Sequence, residues 1–337
     1  MTLRVGINGF GRTGRQAFRA WFERHRDDFE IVAINRGPVP VRTHLLRYDS
    51  DYGRFPAEIV DGTDCFTVDG HEVKVFNANK PEEIPWGDAD VDLVIESTGQ
   101  FRDRAGASGH LHDSVKKVLI SAPAKGEDWT VIMGANHEEY EPANHHVISA
   151  GSCTTNCVVL AAKVLHESFG IKRGFMSTIH AYTGDQNLVD NSHKDLRRAR
   201  AAALNIVPTS SGASAAVGQI IPELAGKFDG MAYRVPTPTV SVVDLITDLN
   251  DRPSTGEINE AFLSAAEGPL KGFLYYERDE LVSMDFKGHP GSAIFDAPST
   301  MVVDGDMAKT MTWYDNEWGY SCRLTDVCAL IAERGLD

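Results

Sequence analysis

The chain is short of cysteine, of positive charge and of long apolar runs, and each shortage removes a class of function. Among its 337 residues the five cysteines, at positions 65, 153, 157, 322 and 328, are too few and too unevenly spaced for a disulfide framework, so reduced thiols are expected. With 33 basic against 48 acidic residues the formal charge is −15. That balance disfavours nonspecific nucleic-acid or anionic-membrane binding, because either needs a basic face to displace counterions. Small anions are not excluded, since positive charge is concentrated in the run from His193 to Arg200. No apolar stretch approaches the length of a membrane span, and the start runs directly into a strand pattern without a visible leader. No repeat or low-complexity segment breaks the chain. A cytoplasmic protein with no membrane partner is expected, and 42% hydrophobic content over this length allows two domains with separate cores.

The first half alternates strands and helices. Leu3 to Asn8 predicts a buried strand, Gly9-Phe10-Gly11-Arg12-Thr13-Gly14 a glycine-rich turn, Arg15 to Arg24 an amphipathic helix and Phe29 to Asn35 a second strand. This is one βαβ unit with its glycines where a dinucleotide fingerprint belongs, so that backbone N–H groups can approach a pyrophosphate. An ordinary strand-to-helix turn is the competing reading. Further strands are expected at Asp92 to Glu96, followed by Ser97-Thr98-Gly99, at Lys117 to Ser121, at Val131 to Met133 and at His146 to Ile148. Small polar residues at strand ends fit a ligand crevice on the carboxyl edge of a parallel sheet. After the second strand, where an NAD-binding unit carries an acid for the ribose hydroxyls, the chain has Asn35-Arg36. Arginine cannot accept those bonds but can pair with a 2′-phosphate, which points to NADP; the other reading has Arg36 in solvent and Asn35 on the ribose.

Gly151-Ser152-Cys153-Thr154-Thr155-Asn156-Cys157 then interrupts an apolar run and opens a helical one. Such a junction puts a thiol at a helix N-terminus, where free N–H groups and the dipole stabilise a thiolate and a hydroxyl caps the first turn. Cys153 is the candidate nucleophile; a buried inert thiol, or a Cys153/Cys157 disulfide or metal pair, are the alternatives, and the last two lack partner ligands, so no metal is expected. Beyond it the pattern changes. A long strand from Gly174 to His180 leads to a basic loop reaching Ser214 and a helix ending near Leu224. Strands follow near Met231 to Tyr233 and Thr239 to Asp248, then a helix from about Thr255 to Ala266. More strands are expected near Val282, at Ala293 to Phe295, Met301 to Val303 and Lys309 to Tyr314, and a last amphipathic helix, Ser321 to Arg334, is expected to return to the first domain. The predicted class is an α/β Rossmann dinucleotide-binding domain, residues 1–152 with a C-terminal helix 318–337. It is joined to an α+β catalytic domain, residues 153–317, with a mostly antiparallel sheet. His180, at a strand end, can serve Cys153 as base, although pattern alone does not single it out from 12 histidines.

Six motifs occur in one order: Val5 to Arg15, Ser152 to Cys157, the loop after His180, His193 to Arg200, Arg234-Val235-Pro236-Thr237-Pro238 and Trp313 to Tyr320. In this the chain resembles the phosphorylating glyceraldehyde-3-phosphate dehydrogenases over essentially its whole length. The resemblance implies Cys153 as nucleophile and His180 as acid/base. It implies Thr183 and Arg234 for the substrate phosphate, and Ser152, Thr154, Arg198, Ser211 and Gly212 for the attacking phosphate. On the dinucleotide it implies Gly9, Gly11, Arg12, Thr13, Gly14, Ser97, Thr98 and Ser121, with Asn316 on the nicotinamide carboxamide and Tyr320 beside the ring. Glyceraldehyde 3-phosphate and inorganic phosphate as substrates, NAD or NADP as cofactor and a homotetramer follow from the same resemblance.

Three departures stand out. Ala150-Gly151 replaces the usual Asn-Ala before Ser-Cys, Arg36 replaces the usual acid, and Asn191-Ser192 replaces Leu-Pro. The last two remove features tied to NAD selectivity and favour NADP or dual use. Rivals are erythrose-4-phosphate dehydrogenase, against which Thr183 and Ser211-Gly212 speak, and the more distant aspartate-semialdehyde dehydrogenase or acylglutamyl-phosphate reductase. From another class comes a non-catalytic, dinucleotide-binding redox sensor in which Cys153 is oxidised.

Overall fold

A computed structural model describes residues 2–337. The chain forms two compact units. The first takes the residues up to Val131, His137–Gly151 and Ser321–Asp337, and the second takes Ile132–Asn136 and Ser152–Tyr320.

In the first unit the elements run β1 (Leu3–Asn8), α1 (Arg12–Arg24), β2 (Phe29–Asn35), α2 (Val39–Arg47), a small hairpin β3 (Tyr48–Asp49) and β4 (Gly53–Arg54), and β5 (Ile59–Asp61), β6 (Cys65–Val68) and β7 (His71–Phe76). They continue with β8 (Leu93–Glu96), α3 (Arg104–Ala107), β9 (Lys117–Ile120), β10 (Trp129–Thr130) and β11 (Val147–Ser149). Nine strands form one sheet in the order β10-β11-β9-β8-β1-β2-β7-β6-β5, antiparallel only where β6 meets β5 and β7. β1 has β2 on one side and β8 on the other, and both pairs are parallel. This is the switch point of an open α/β sheet, so a crevice opens at the carboxyl ends of β1 and β8. The strands read as continuous Val/Ile/Leu runs because both faces are covered: Val5, Ile7, Ile31, Ile34, Leu93 and Ile95 are fully buried.

The second unit holds α4 (Cys153–Phe169), β12 (Ile171–Ala181), β13 (Val207–Ser210), α5 (Ala213–Ile220), β14 (Phe228–Val235), β15 (Ser241–Leu249) and α6 (Thr255–Glu267). β16 (Leu274–Glu277), β17 (Ala293–Asp296), β18 (Met301–Val303) and β19 (Met307–Tyr314) complete its sheet, and α7 (Trp318–Arg334) ends the chain. Strand order is β13-β14-β12-β15-β19-β17-β16, with β18 also on β19. Pairing is antiparallel except at β12/β14 and β16/β17. α4 lies against α5, α6 and the inner face of this sheet, and Val158, Leu160, Ala161 and Leu165 are withdrawn from water there. Phe262 of α6 stacks on Phe295 of β17 with ring centroids 3.8 Å apart. α6 starts at a capping box in which Ser254 and Glu257 satisfy each other's backbone N–H groups.

Several expectations are corrected. α1 begins at Arg12 and not Arg15, which brings the N–H groups of Arg12, Thr13 and Gly14 into its first turn. The pairing expected at Val131 to Met133 is made by Trp129–Thr130. Ile132 instead opens a turn in which its N–H is held by Asn136 Oδ1, 2.8 Å away. No strand forms near Val282; it is 64% exposed and precedes a 3₁₀ turn at Ser283–Phe286, whose Asp285 accepts from the Val282 N–H. α2, β5 to β7, β13 and β16 are further elements that local pattern does not announce.

Candidate active site

The second unit assembles the nucleophile. Cys153 is the first residue of α4, and the Ser152 hydroxyl caps that helix by accepting from the Thr155 N–H at 3.0 Å. Gly151 before it takes φ 62°, a left-handed conformation that glycine adopts without strain, so the Ala150-Gly151 turn accommodates the nucleophile readily. Cys153 Sγ lies 3.5 Å from His180 Nε2. His180 sits at the end of β12, and the parallel register of β12 with β14 sets Arg234 directly beside it. Arg234 Nη1 donates to Ala181 O at 3.0 Å and to Thr183 Oγ1 at 3.3 Å, and it lies 2.9 Å from His180 Nδ1. Nδ1 also lies 2.7 Å from Ala181 O, which can only accept. An Nδ1–H donated to that carbonyl leaves Nε2 as an acceptor aimed at the thiol.

The electrostatics fit a neutral resting pair. Burial and then the Arg234 charge hold the His180 imidazole neutral, with its pKa down at about 3. Burial pushes the Cys153 thiol up, while Arg234, the Thr154 hydroxyl and the N–H groups at the helix start oppose that rise. Tyr320 is buried, and its hydroxyl is raised well above its usual range by that burial and by the Cys153 sulfur. Behind the pair, the Tyr314 hydroxyl bridges Thr154 Oγ1 and Thr178 Oγ1, both at 2.8 Å, and so ties the start of α4 to β12. Thr154 is therefore turned inward. Local pattern singles out neither Tyr314 nor Thr178, because Tyr314 lies more than a hundred residues from the two threonines that it joins.

The remaining groups of this unit fall into two sets. Ser211 Oγ accepts from the Ala213 N–H at 3.3 Å. Gly212 caps α5 without a side chain, leaves open space where a Cβ would stand, and no acid occupies the first turn, so this end can receive an anion. Arg198 is held by Asp185, by Asp195 at 3.6 Å and by Thr209 at 3.0 Å, yet its charge still acts on His180. Asn316 Oδ1 accepts from Ser241 Oγ at 2.9 Å, and Ser241 Oγ accepts from the Ala181 N–H, so the amide NH₂ of Asn316 is the part left to donate. Ser192 lies in an exposed turn, its N–H on Asn191 Oδ1.

The first unit carries the glycine turn. Gly9 has φ 95°, and a Cβ there would lie 2.7 Å from the Thr98 nitrogen; a Cβ on Gly14 would lie 2.2 Å from Gly9 O. Gly11 faces open space, and α1 begins with no side-chain cap and no acid. These are the features a pyrophosphate cradle requires, and the residues fit the group. Ser97 Oγ donates to Gly9 O at 2.6 Å, and the Ser121 N–H donates to Glu96 O, so both lie at the carboxyl edge. Arg12 is engaged by Asp49 and Asp51. Beneath the turn a buried network links Asn8, Glu96, His110 and Trp86. Trp86 Nε1 donates to His110 Nδ1, so His110 donates from Nε2 to Glu96, which also accepts from Thr98. Asn35 belongs to this network: 1% exposed, it donates to Asn8 Oδ1 and Ala78 O and accepts from the Ala78 N–H. Its side chain is thereby taken from the ribose role, which corrects the expectation above.

Family comparisons agree with both halves. Residues 3–104 match the NAD-binding domain of glyceraldehyde 3-phosphate dehydrogenase, and residues 152–316 match its C-terminal domain. The chain belongs to the glyceraldehyde-3-phosphate dehydrogenase family. It is 53% identical over 336 residues to glyceraldehyde-3-phosphate dehydrogenase of Streptomyces coelicolor, covering 99% of this chain and all of that protein. It is 52% identical over 337 residues to that of Geobacillus stearothermophilus, end to end for both, and 50% identical over 334 residues to glyceraldehyde-3-phosphate dehydrogenase 2 of Trichormus variabilis, 98% of this chain and 99% of that one. As a member of the glyceraldehyde-3-phosphate dehydrogenase family the chain is an oxidoreductase of glycolysis with a nicotinamide dinucleotide cofactor. Among the described residues no helix is long and apolar enough to cross a membrane, and no cluster of ligating side chains holds a metal.

Proposed function

We propose that the chain catalyses the reversible conversion of D-glyceraldehyde 3-phosphate and inorganic phosphate to 1,3-bisphosphoglycerate. The observation that carries this reading is Cys153 Sγ at the head of α4, 3.5 Å from a neutral His180 Nε2 that is flanked in register by Arg234. As Sγ bonds to the aldehyde carbon, its proton passes to Nε2 and returns to the new alkoxide oxygen, giving a hemithioacetal. The Cys153 N–H and His180 stabilise the oxygen while it is charged. A bound NAD(P)⁺ supplies the hydride acceptor for the oxidation of that carbon. His180 Nε2 takes the hydroxyl proton in the same step and a thioester remains on Cys153. Inorganic phosphate then attacks the carbonyl, the carbon–sulfur bond breaks and Cys153 is regenerated.

In this reading Thr183 and Arg234 hold the substrate phosphate, and Ser152, Arg198, Ser211 and Gly212 receive the attacking one, with Thr154 contributing its backbone N–H at the helix start while its hydroxyl stays on Tyr314. Gly9 to Gly14, Ser97, Thr98 and Ser121 hold the dinucleotide, with Asn316 on the carboxamide and Tyr320 beside the ring. Residues 1–152 with helix 318–337 act as the dinucleotide domain and 153–317 as the catalytic domain. Arg36, together with Ser192, selects NADP. The assembly is a cytoplasmic homotetramer; exposed Leu188, Leu196, Leu204 and Ile206, clustered in one loop segment, support a subunit contact. Steady-state rates with glyceraldehyde 3-phosphate, measured against added phosphate, test the reaction: a rate that rises and saturates with phosphate is expected. A phosphate-independent release of acid would overturn it in favour of hydrolysis.

A further inference from the structure

We propose that Arg42 is a second ligand of the 2′-phosphate, forming with Arg36 a paired guanidinium clamp at the end of β2. The inference rests on the NADP reading above and names the residue that completes it. With Asn35 turned inward, its amide is taken up by Asn8 and Ala78 and is not available to ribose hydroxyls. Arg36 stands in the left-handed region at φ 104°, a strained conformation for a non-glycine residue, and Gly37 follows at φ 94°. The space a Cβ would fill on Gly37 is occupied by Arg42, whose Nη2, Nε and Cζ would lie only 2.4, 2.6 and 2.8 Å from it. The Arg42 guanidinium therefore rests against the backbone of Gly37, the residue after Arg36, and a side chain at position 37 would displace it.

Among the described residues neither arginine has a counter-charge. Arg36 reaches two neutral oxygens, Asn79 O at 3.1 Å and Gln100 Oε1 at 3.4 Å, no carboxylate pairs with Arg42, and the buried Nε atoms of both are without hydrogen bonds. Nearby Arg12 and Arg47 are each paired with aspartates. In a chain with 15 more acidic than basic residues, two arginines at one strand end without a carboxylate partner leave positive charge there that an anion can neutralise. α2 adds to the field: it starts at Val39 behind Pro38 with no side-chain cap and no acid in its first turn. A dianionic phosphate between two planar guanidiniums satisfies all three, and forked donation fits its oxygens.

Calorimetric titration of the full-length protein with 5′-AMP and with adenosine 2′,5′-bisphosphate tests this, inorganic phosphate serving as competitor. The wild type is expected to bind the bisphosphate about tenfold or more tightly than 5′-AMP, a difference that phosphate at the same concentration does not abolish. Arg42→Gln is expected to remove most of that preference while changing 5′-AMP affinity by less than about twofold, and Arg42→Lys to restore part of it. If Arg36→Ala abolishes the preference and Arg42→Gln leaves it intact, Arg42 is not a ligand and the NADP reading stands. Equal loss of both probes in Arg42→Gln would make Arg42 a packing residue on Gly37. A wild type without preference overturns the NADP reading and the clamp together.

Discussion

At the head of α4 and at the end of β2 the chain solves two recognition problems in opposite ways. The Cys153–His180 pair is part-buried, neutral and fixed by partners from three segments: Ser152 caps the helix, Tyr314 ties it to β12, and Arg234 is set by strand register. The β2 end is half exposed and strained, with two cations and, among the described residues, no counter-charge. Proton transfer needs heavy atoms held to fractions of an ångström, so its residues are locked before substrate arrives. Choosing between two cofactors that differ by one phosphate needs only a local change of charge. One or two substitutions supply that without disturbing the buried network of Asn8, Asn35 and Glu96 beneath.

If this contrast is right, substitutions at the first site alter chemistry and at the second alter choice. Cys153→Ser is expected to lower kcat/KM by about 10⁴-fold or more while dinucleotide still binds by fluorescence titration. Retained turnover would dismiss the nucleophile assignment. His180→Asn should cost about 10²- to 10⁴-fold in kcat with little change in cofactor affinity. Arg36→Asp should leave kcat nearly unchanged with the better cofactor but move the NADP/NAD ratio of kcat/KM by about 10²-fold toward NAD; an unmoved ratio means that Arg36 is not the selector.

Two smaller effects concern stability. The folded-state pKa of His180 is depressed from 6.5 to about 3, so the unfolded chain binds the proton first as pH falls. The neutral histidine's full stability is present above about pH 6.5 and is lost progressively between there and about 3. Comparing urea midpoints at pH 7 and 4.5, the wild type should lose on the order of 2 kcal/mol more than His180→Asn. A pH response identical in the two proteins would mean that His180 titrates alike in the folded and unfolded chain. Arg36→Gly should do the reverse at the other site and raise stability by about 1 kcal/mol, seen as a higher Tm, by relieving the left-handed φ while abandoning the 2′-phosphate.

Much of the molecule was legible in local pattern. The apolar runs of β1, β2, β8 and β9, the glycine turn before α1 and the Ser-Cys start of α4 each carry their signal within a few residues, because caps, tight turns and periodicity are local physics. Short elements with weak signals were not legible. β13 contains Pro208, β16 follows a turn at Gly272, and Val282 is apolar yet lies in solvent before a turn that Asp285 closes.

The sequence by itself determined the chemistry on offer: a thiol at a helix start, an imidazole at a strand end, glycines before a helix and an arginine where an acid is usual. Only the tertiary structure decided which of these meet. His180 was one of 12 histidines until the β12/β14 register set it beside Arg234, 54 residues later in the chain. Asn35 turned inward because a buried amide must find partners, and Asn8 and Ala78 supply them. Arg42 gains its place only from the fold, which rests its guanidinium on Gly37. Propensity and capping act over a turn or two, whereas pairing register and the satisfaction of buried polar groups depend on residues that only folding brings together.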